Sequence, residues 1–115
     1  MPGPSNENRP DPPLVSSLRG DPAMQDLIES FVAALPARLD AMREALHSQR
    51  LDELQRLAHQ FKGACGGYGF AEISDVAARL ESALRAAGRE NALAAVLAAE
   101  NSIEELAAVC HRAVA

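Results

Sequence analysis

LDELQRLAHQFKGACGGYG, from Leu51 to Gly69, is the stretch that decides the fold. Leu54, Leu57, Phe61 and Cys65 recur at spacings of three and four, the period of one buried helical face. This predicts a helix over about Asp52–Gly66, stopped by the breaker Gly66-Gly67-Tyr68-Gly69. The same period continues outward on both sides. Upstream, Asp21 as N-cap and Pro22 at the first helical position open a helix. Its stripe is Leu27, Phe31, Leu35, Leu39, Met42 and Leu46. Pro36 lies inside that stripe and is expected to kink or split the helix near Leu35. Downstream, Ile73, Val76, Leu80 and Leu84 mark a third helix over about Glu72–Ala87, with Gly88 as its C′ residue. A fourth, over about Glu90–Ala113, turns Leu93, Val96, Ile103, Leu106 and Cys110 inward.

Four helices with short connections and no alternating strand pattern predict an all-α, up-and-down four-helix bundle. It spans residues 14–115. Residues 1–13 hold five prolines and no sustained period, and read as a mobile tail. Leu14 to Leu18 is a short apolar patch that either caps one end of the core or serves as linker. The 115-residue chain is one domain, and 48% apolar content is enough for a core. A net charge of −5 without a Lys/Arg cluster argues against nucleic acid as the main partner. The N-terminus has no apolar export signal and no apolar run approaches the roughly 18 residues of a membrane span. Two cysteines are too few for a disulfide scaffold, so a cytoplasmic setting is expected.

Three oddities meet in the deciding stretch. Four of the seven glycines fall between Gly63 and Gly69, although a glycine inside a helix costs up to about 1 kcal/mol relative to alanine. Ten of the eleven basic residues are arginine, and the single lysine is Lys62. A lysine is a compact point charge that suits a phosphoryl oxygen. His59 falls about 200° from both Leu57 and Phe61 at 100° per residue, so it faces away from the core. Lys62 and Gly63 lie one turn on and Gly66 two turns on, giving an exposed imidazole beside one ammonium and a strip of bare backbone. A neutral imidazole is a good nucleophile near neutral pH. Outside a deep pocket it suits transfer from an active site carried by a partner, and a phosphoryl group fits, because Lys62 can offset its charge.

Ala58-His59-Gln60-Phe61-Lys62-Gly63, then Gly69-Phe70 and Leu80-Glu81, resemble the histidine-containing phosphotransfer (HPt) domain family. Phe31 to Pro36, a Phe-x-x-x-Leu-Pro run, also resembles the preceding helix of many members. The resemblance implies a bundle with its phosphorylated histidine exposed midway along the second helix. It implies that His59 carries the phosphoryl group on Nε2, that Lys62 stabilises it, and that Glu81 accepts the Nδ1 hydrogen and orients the ring. Glu81 is in phase with Ala77, Ala78 and Arg85 rather than with Leu80 and Leu84, which is compatible with facing the second helix near its rim. Gly63 and Gly66 would lie on the docking surface and Gly69 would turn the chain. The implied partners are receiver domains of response regulators, with or without a hybrid histidine kinase. The carrier itself would need no cofactor and no metal; Mg²⁺ would belong to the receiver. The chain has no room for an ATP-binding domain, so autokinase activity is not expected. A monomer suffices for the role, and the Met1 start favours a free carrier.

Blander readings attach to the same residues. Glu81 could be half of an i,i+4 pair with Arg85. The whole chain could be a helical module that docks a receiver or kinase without accepting phosphate. A metal-dependent bundle enzyme would need ligands converging from facing helices. His59, Cys65, Cys110 and His111 do not offer that, since Cys110 and His111 point about 100° apart. His47 near a helix C-terminus is placed where a cation is favoured, and has no assigned role.

Overall fold

The computed structural model describes residues 12–87 and 92–115. Four helices carry the structure: α1 (Gln25–His47), α2 (Leu51–Gly67), α3 (Ala71–Ala87) and α4 (Ala92–His111). Asp21 N-caps a short 3₁₀ turn, Pro22–Met24, that leads into α1, its carboxylate accepting from the Ala23 N–H at 2.9 Å. Residues 1–11 of the expected tail and Gly88 lie outside the described residues.

Side-chain pairings give the direction of each helix. Along α2 and α3, His59 meets Glu81 while Gly66 lies beside Ser74. Along α3 and α4, Arg79 meets Glu105 while Glu72 meets Arg112. Along α1 and α4, Arg43 meets Glu104, and Pro36 shares a cleft with His111. In every pair one number rises as the other falls, so these neighbours are antiparallel and the bundle runs up and down.

Two expected core residues are exposed, and a third, Val96, is only half-buried and lines a cleft between α1 and α4. Leu27 is 49% exposed, and Ile28, 1% exposed, takes its place. At 100° per residue Ile28 falls about 25° from the centre of the Phe31–Met42 stripe, against about 75° for Leu27. Leu93 is 66% exposed because the buried seam of α4 begins with Ala95 and Ala99. Small residues there let α4 pack closely. Helix α1 also continues unbroken through Pro36. The ring is exposed, only the Val32 carbonyl loses its helical donor, and buried Leu35 and Leu39 hold both sides on the core.

Two features have no counterpart in the apolar pattern. Leu14–Val15 (β1) pairs in parallel with Ala113–Val114 (β2), so α4 stops at His111 and the last residues become strand. The segment between β1 and α1 then lies over the α2–α3 turn. Ser16, 3% exposed, donates to the Tyr68 carbonyl at 2.5 Å, and the Ser17 N–H donates to the Gly69 carbonyl at 2.9 Å. That turn closes α2 by a Schellman motif: Phe70 N–H to Cys65 carbonyl, Gly69 N–H to Gly66 carbonyl. Gly69 takes φ +84, the left-handed value such a cap requires. Phe31 stacks on Tyr68 at 4.5 Å between centroids and lies 6.0 Å from Phe70, locking the turn onto α1.

Two glycine substitutions should therefore behave oppositely. A Cβ at Gly69 would stand 2.6 Å from Ser16 Oγ and 2.9 Å from the Ser17 backbone nitrogen, on top of the left-handed backbone. Gly69→Ala should cost about 1–3 kcal/mol in urea unfolding. Gly63 is helical and a Cβ there meets nothing within 4 Å, so Gly63→Ala should be neutral or gain up to about 1 kcal/mol.

Candidate functional site

Ala58, Phe61 and Cys65 turn inward along α2, which leaves His59, Lys62 and Gly63 on the outer edge. The His59 side chain is 64% exposed. Its Nδ1 lies 2.8 Å from Glu81 Oε2, reaching across from α3. An ionised carboxylate only accepts hydrogen bonds, so Nδ1 carries the hydrogen in this pairing and the neutral ring keeps its lone pair on Nε2.

Glu81 is 4% exposed and lies beneath the His59 and Lys62 side chains, deeper than the rim position the sequence suggested. It sits on α3 immediately after Leu80, a fully buried residue, and the two α2 side chains close over it. A carboxylate removed from water in this way needs partners. Among the described residues it has three: Lys62 Nζ donates to Oε1 at 2.9 Å, and His59 Nδ1 and Arg85 share Oε2 at 2.8 and 2.7 Å. The Lys62 bond, chiefly, and then the His59 bond hold its carboxyl below the usual range against the opposing push of burial. The two sequence readings of Glu81, as partner of His59 or as partner of Arg85, thus describe one shared carboxylate.

The structure brings His59, Lys62, Glu81 and Gly63 together on one edge. Gly66 is exposed, but a Cβ there would touch Ser74 Oγ at 3.5 Å, so it looks along the α2–α3 seam. Gly69 belongs to the turn and its serine contacts. Ser74, not singled out from the sequence, donates from Oγ to the Lys62 carbonyl at 2.9 Å and ties α3 to α2 directly under the lysine. The antiparallel register that puts residue 74 beside residue 66 was the signal that could have found it.

The remaining titratable groups do not join this cluster. Cys65 and Cys110 are buried, and burial pushes both thiols up to about 12, so neither is a thiolate at neutral pH. Glu44 and His47 have Glu-x-x-His spacing at the end of α1, but both are exposed and Glu44 holds Ser48. Among the described residues no three His, Cys, Asp or Glu side chains are grouped to hold a metal. Clefts of about 500 and 420 Å³ lie between α1 and α4, and neither is lined by His59, Lys62 or Glu81. An imidazole this exposed does not enclose a small substrate, but it can meet a partner.

The depressed Glu81 carboxyl sets a pH dependence. A group whose folded value lies below its unfolded one stabilises the fold above the unfolded value, 4.5, and loses that contribution as pH falls through the folded value. Urea unfolding of wild type and Glu81→Gln as a function of pH should show the difference shrinking below pH 4.5. A difference independent of pH would mean that the carboxylate charge is not what Lys62 and His59 hold.

Comparison with curated proteins and with solved structures gave no match. The family model described as Hpt domain matches residues 26–112, which runs from the first turn of α1 to just past α4 and includes the His59–Lys62–Glu81 cluster. With four antiparallel helices and a match over most of its length, the chain belongs to the Hpt domain family.

Proposed function

We propose that this protein relays phosphoryl groups between receiver-domain aspartates, with His59 as the carrier. The observation that carries the reading is the pairing of a 64% exposed imidazole with a buried carboxylate through Nδ1. His59 Nε2 attacks phosphorus of a docked aspartyl phosphate. A P–N bond forms, the P–O bond to the aspartate breaks, and the carboxylate leaves with the bonding pair. The ring gains positive charge as its lone pair is used, and Glu81 stands against Nδ1–H to offset it, as the carboxylate of a hydrolase triad does for its histidine. Lys62 offsets charge on the phosphoryl oxygens. Return of the group to a second receiver reverses these steps.

The remaining parts of the reading follow from this role. The protein needs no cofactor of its own, and Mg²⁺ belongs to the receiver. It does not phosphorylate itself from ATP. Its partners are receiver domains of response regulators, free or attached to a hybrid histidine kinase. It works as a monomer in the cytoplasm, in keeping with the fact that no helix among the described residues is long and apolar enough to cross a membrane. Gly63, with open space over its Cα, marks where the receiver approaches the ring.

A receiver carrying labelled aspartyl phosphate tests the reading. Wild type should gain the label and His59→Gln should gain none. Equal labelling of the two would contradict the assignment. Loss of labelling in wild type, with receiver binding retained by both proteins, would favour a docking module that accepts no phosphate. Lys62→Ala should slow transfer roughly tenfold or more, the scale of losing one charge-stabilising donor. Gly63→Leu should keep the fold by circular dichroism and block transfer by adding bulk on the docking side. A folded Gly63→Leu protein that transfers normally would contradict that geometry.

A further inference from the structure

An incoming phosphoryl group competes with Glu81 for the Lys62 ammonium. Lys62 Nζ donates to Glu81 Oε1 at 2.9 Å. Moving it to a phosphoryl oxygen leaves a 4% exposed carboxylate without the partner on that oxygen. A buried charge stripped of its partner is costly. The structure supplies a second cation. Arg85, one turn beyond Glu81 on α3, donates to Oε2 at 2.7 Å. That oxygen also binds His59 Nδ1, so Arg85 and the imidazole hold Oε2 while, among the described residues, Lys62 alone holds Oε1.

We infer that Arg85 is a positioning residue that retains the Glu81 carboxylate on His59 when Lys62 moves from Glu81 to the incoming phosphoryl group. The inference rests on the relay reading and deepens it. Three features of the site favour the division of labour. Both cations are hydrogen-bonded to Glu81, but on different oxygens, so one can leave without disturbing the other. Lys62 is on α2 beside the reacting ring, one turn from His59, whereas Arg85 approaches from Glu81's own helix. Arg85 is tethered to Glu81 by an i,i+4 spacing that does not depend on the α2–α3 contact. As the P–N bond forms, the ring turns cationic and the phosphoryl oxygens keep their negative charge. Lys62 then stands with the oxygens, and Glu81, still held by Arg85, stands with the ring.

Single-turnover transfer from a labelled phospho-receiver tests this, at several receiver concentrations. Arg85→Ala should lower the maximal transfer rate about two- to fivefold, the scale of one partly exposed ion pair, with half-saturating receiver concentration unchanged. Arg85→Lys, which keeps a cation within reach of Oε2, should recover most of the rate. In a Lys62→Ala background, where Arg85 is the cation left on Glu81, Arg85→Ala should cost at least as much as in wild type. A wild-type rate for Arg85→Ala, a change confined to half-saturation, or a smaller loss in the Lys62→Ala background than in wild type would overturn the inference. Failure of wild type itself to take up label would instead remove the relay reading beneath it. Arg85 is 59% exposed, so the variants are expected to fold, which thermal unfolding checks.

Discussion

A single buried carboxylate organises the exposed edge of this bundle. Glu81 has almost no contact with water and takes up three donors, from Lys62, His59 and Arg85. Each of those donors is itself substantially exposed or half-buried. The ionised group lies underneath and its partners form the surface. That inversion gives the imidazole a fixed tautomer without hiding it. It also makes the register of α3 against α2 a functional quantity, since a shift of one turn would remove Glu81 from His59 and bring Ser74 away from the Lys62 carbonyl.

The rest of the fold can be read as what holds that register. Core leucines and phenylalanines supply burial, which is non-directional. The α2–α3 turn is directional. Its Schellman closure, the left-handed Gly69, and the Ser16 and Ser17 contacts leave little freedom in how α2 hands over to α3. Phe31 seals the turn against α1, and the β1–β2 pair joins the segment over the turn to the end of α4. Elements far apart in sequence thus converge on the connection that sets which α3 residue faces His59.

Much of this is legible from residue spacing. The four helices follow from three- and four-residue periods, and the outward placement of His59 follows from its phase against Leu57 and Phe61. Where the pattern was ambiguous, phase alone misled. Leu27 and Ile28 both fit a helical spacing to Phe31, and only the centre of the whole stripe separates them. Leu93 loses its place to alanines, because close helix approach is not signalled by hydrophobicity. The two-residue strands are too short to leave a period. The depth of Glu81 was not readable either, since burial of a charged residue depends on what lies over it, here two side chains from another helix. Arg85 was visible only as a competing partner for Glu81, whereas a carboxylate with two oxygens accommodates both.

The account depends most directly on which ring nitrogen of His59 bears hydrogen. Long-range ¹H–¹⁵N correlation of the side chain at neutral pH reads this without any partner protein. The geometry requires hydrogen on Nδ1 and a lone pair on Nε2, with the preference lost in Glu81→Ala. Hydrogen on Nε2 in the native protein would leave no nitrogen free on the exposed side of the ring and would contradict the account.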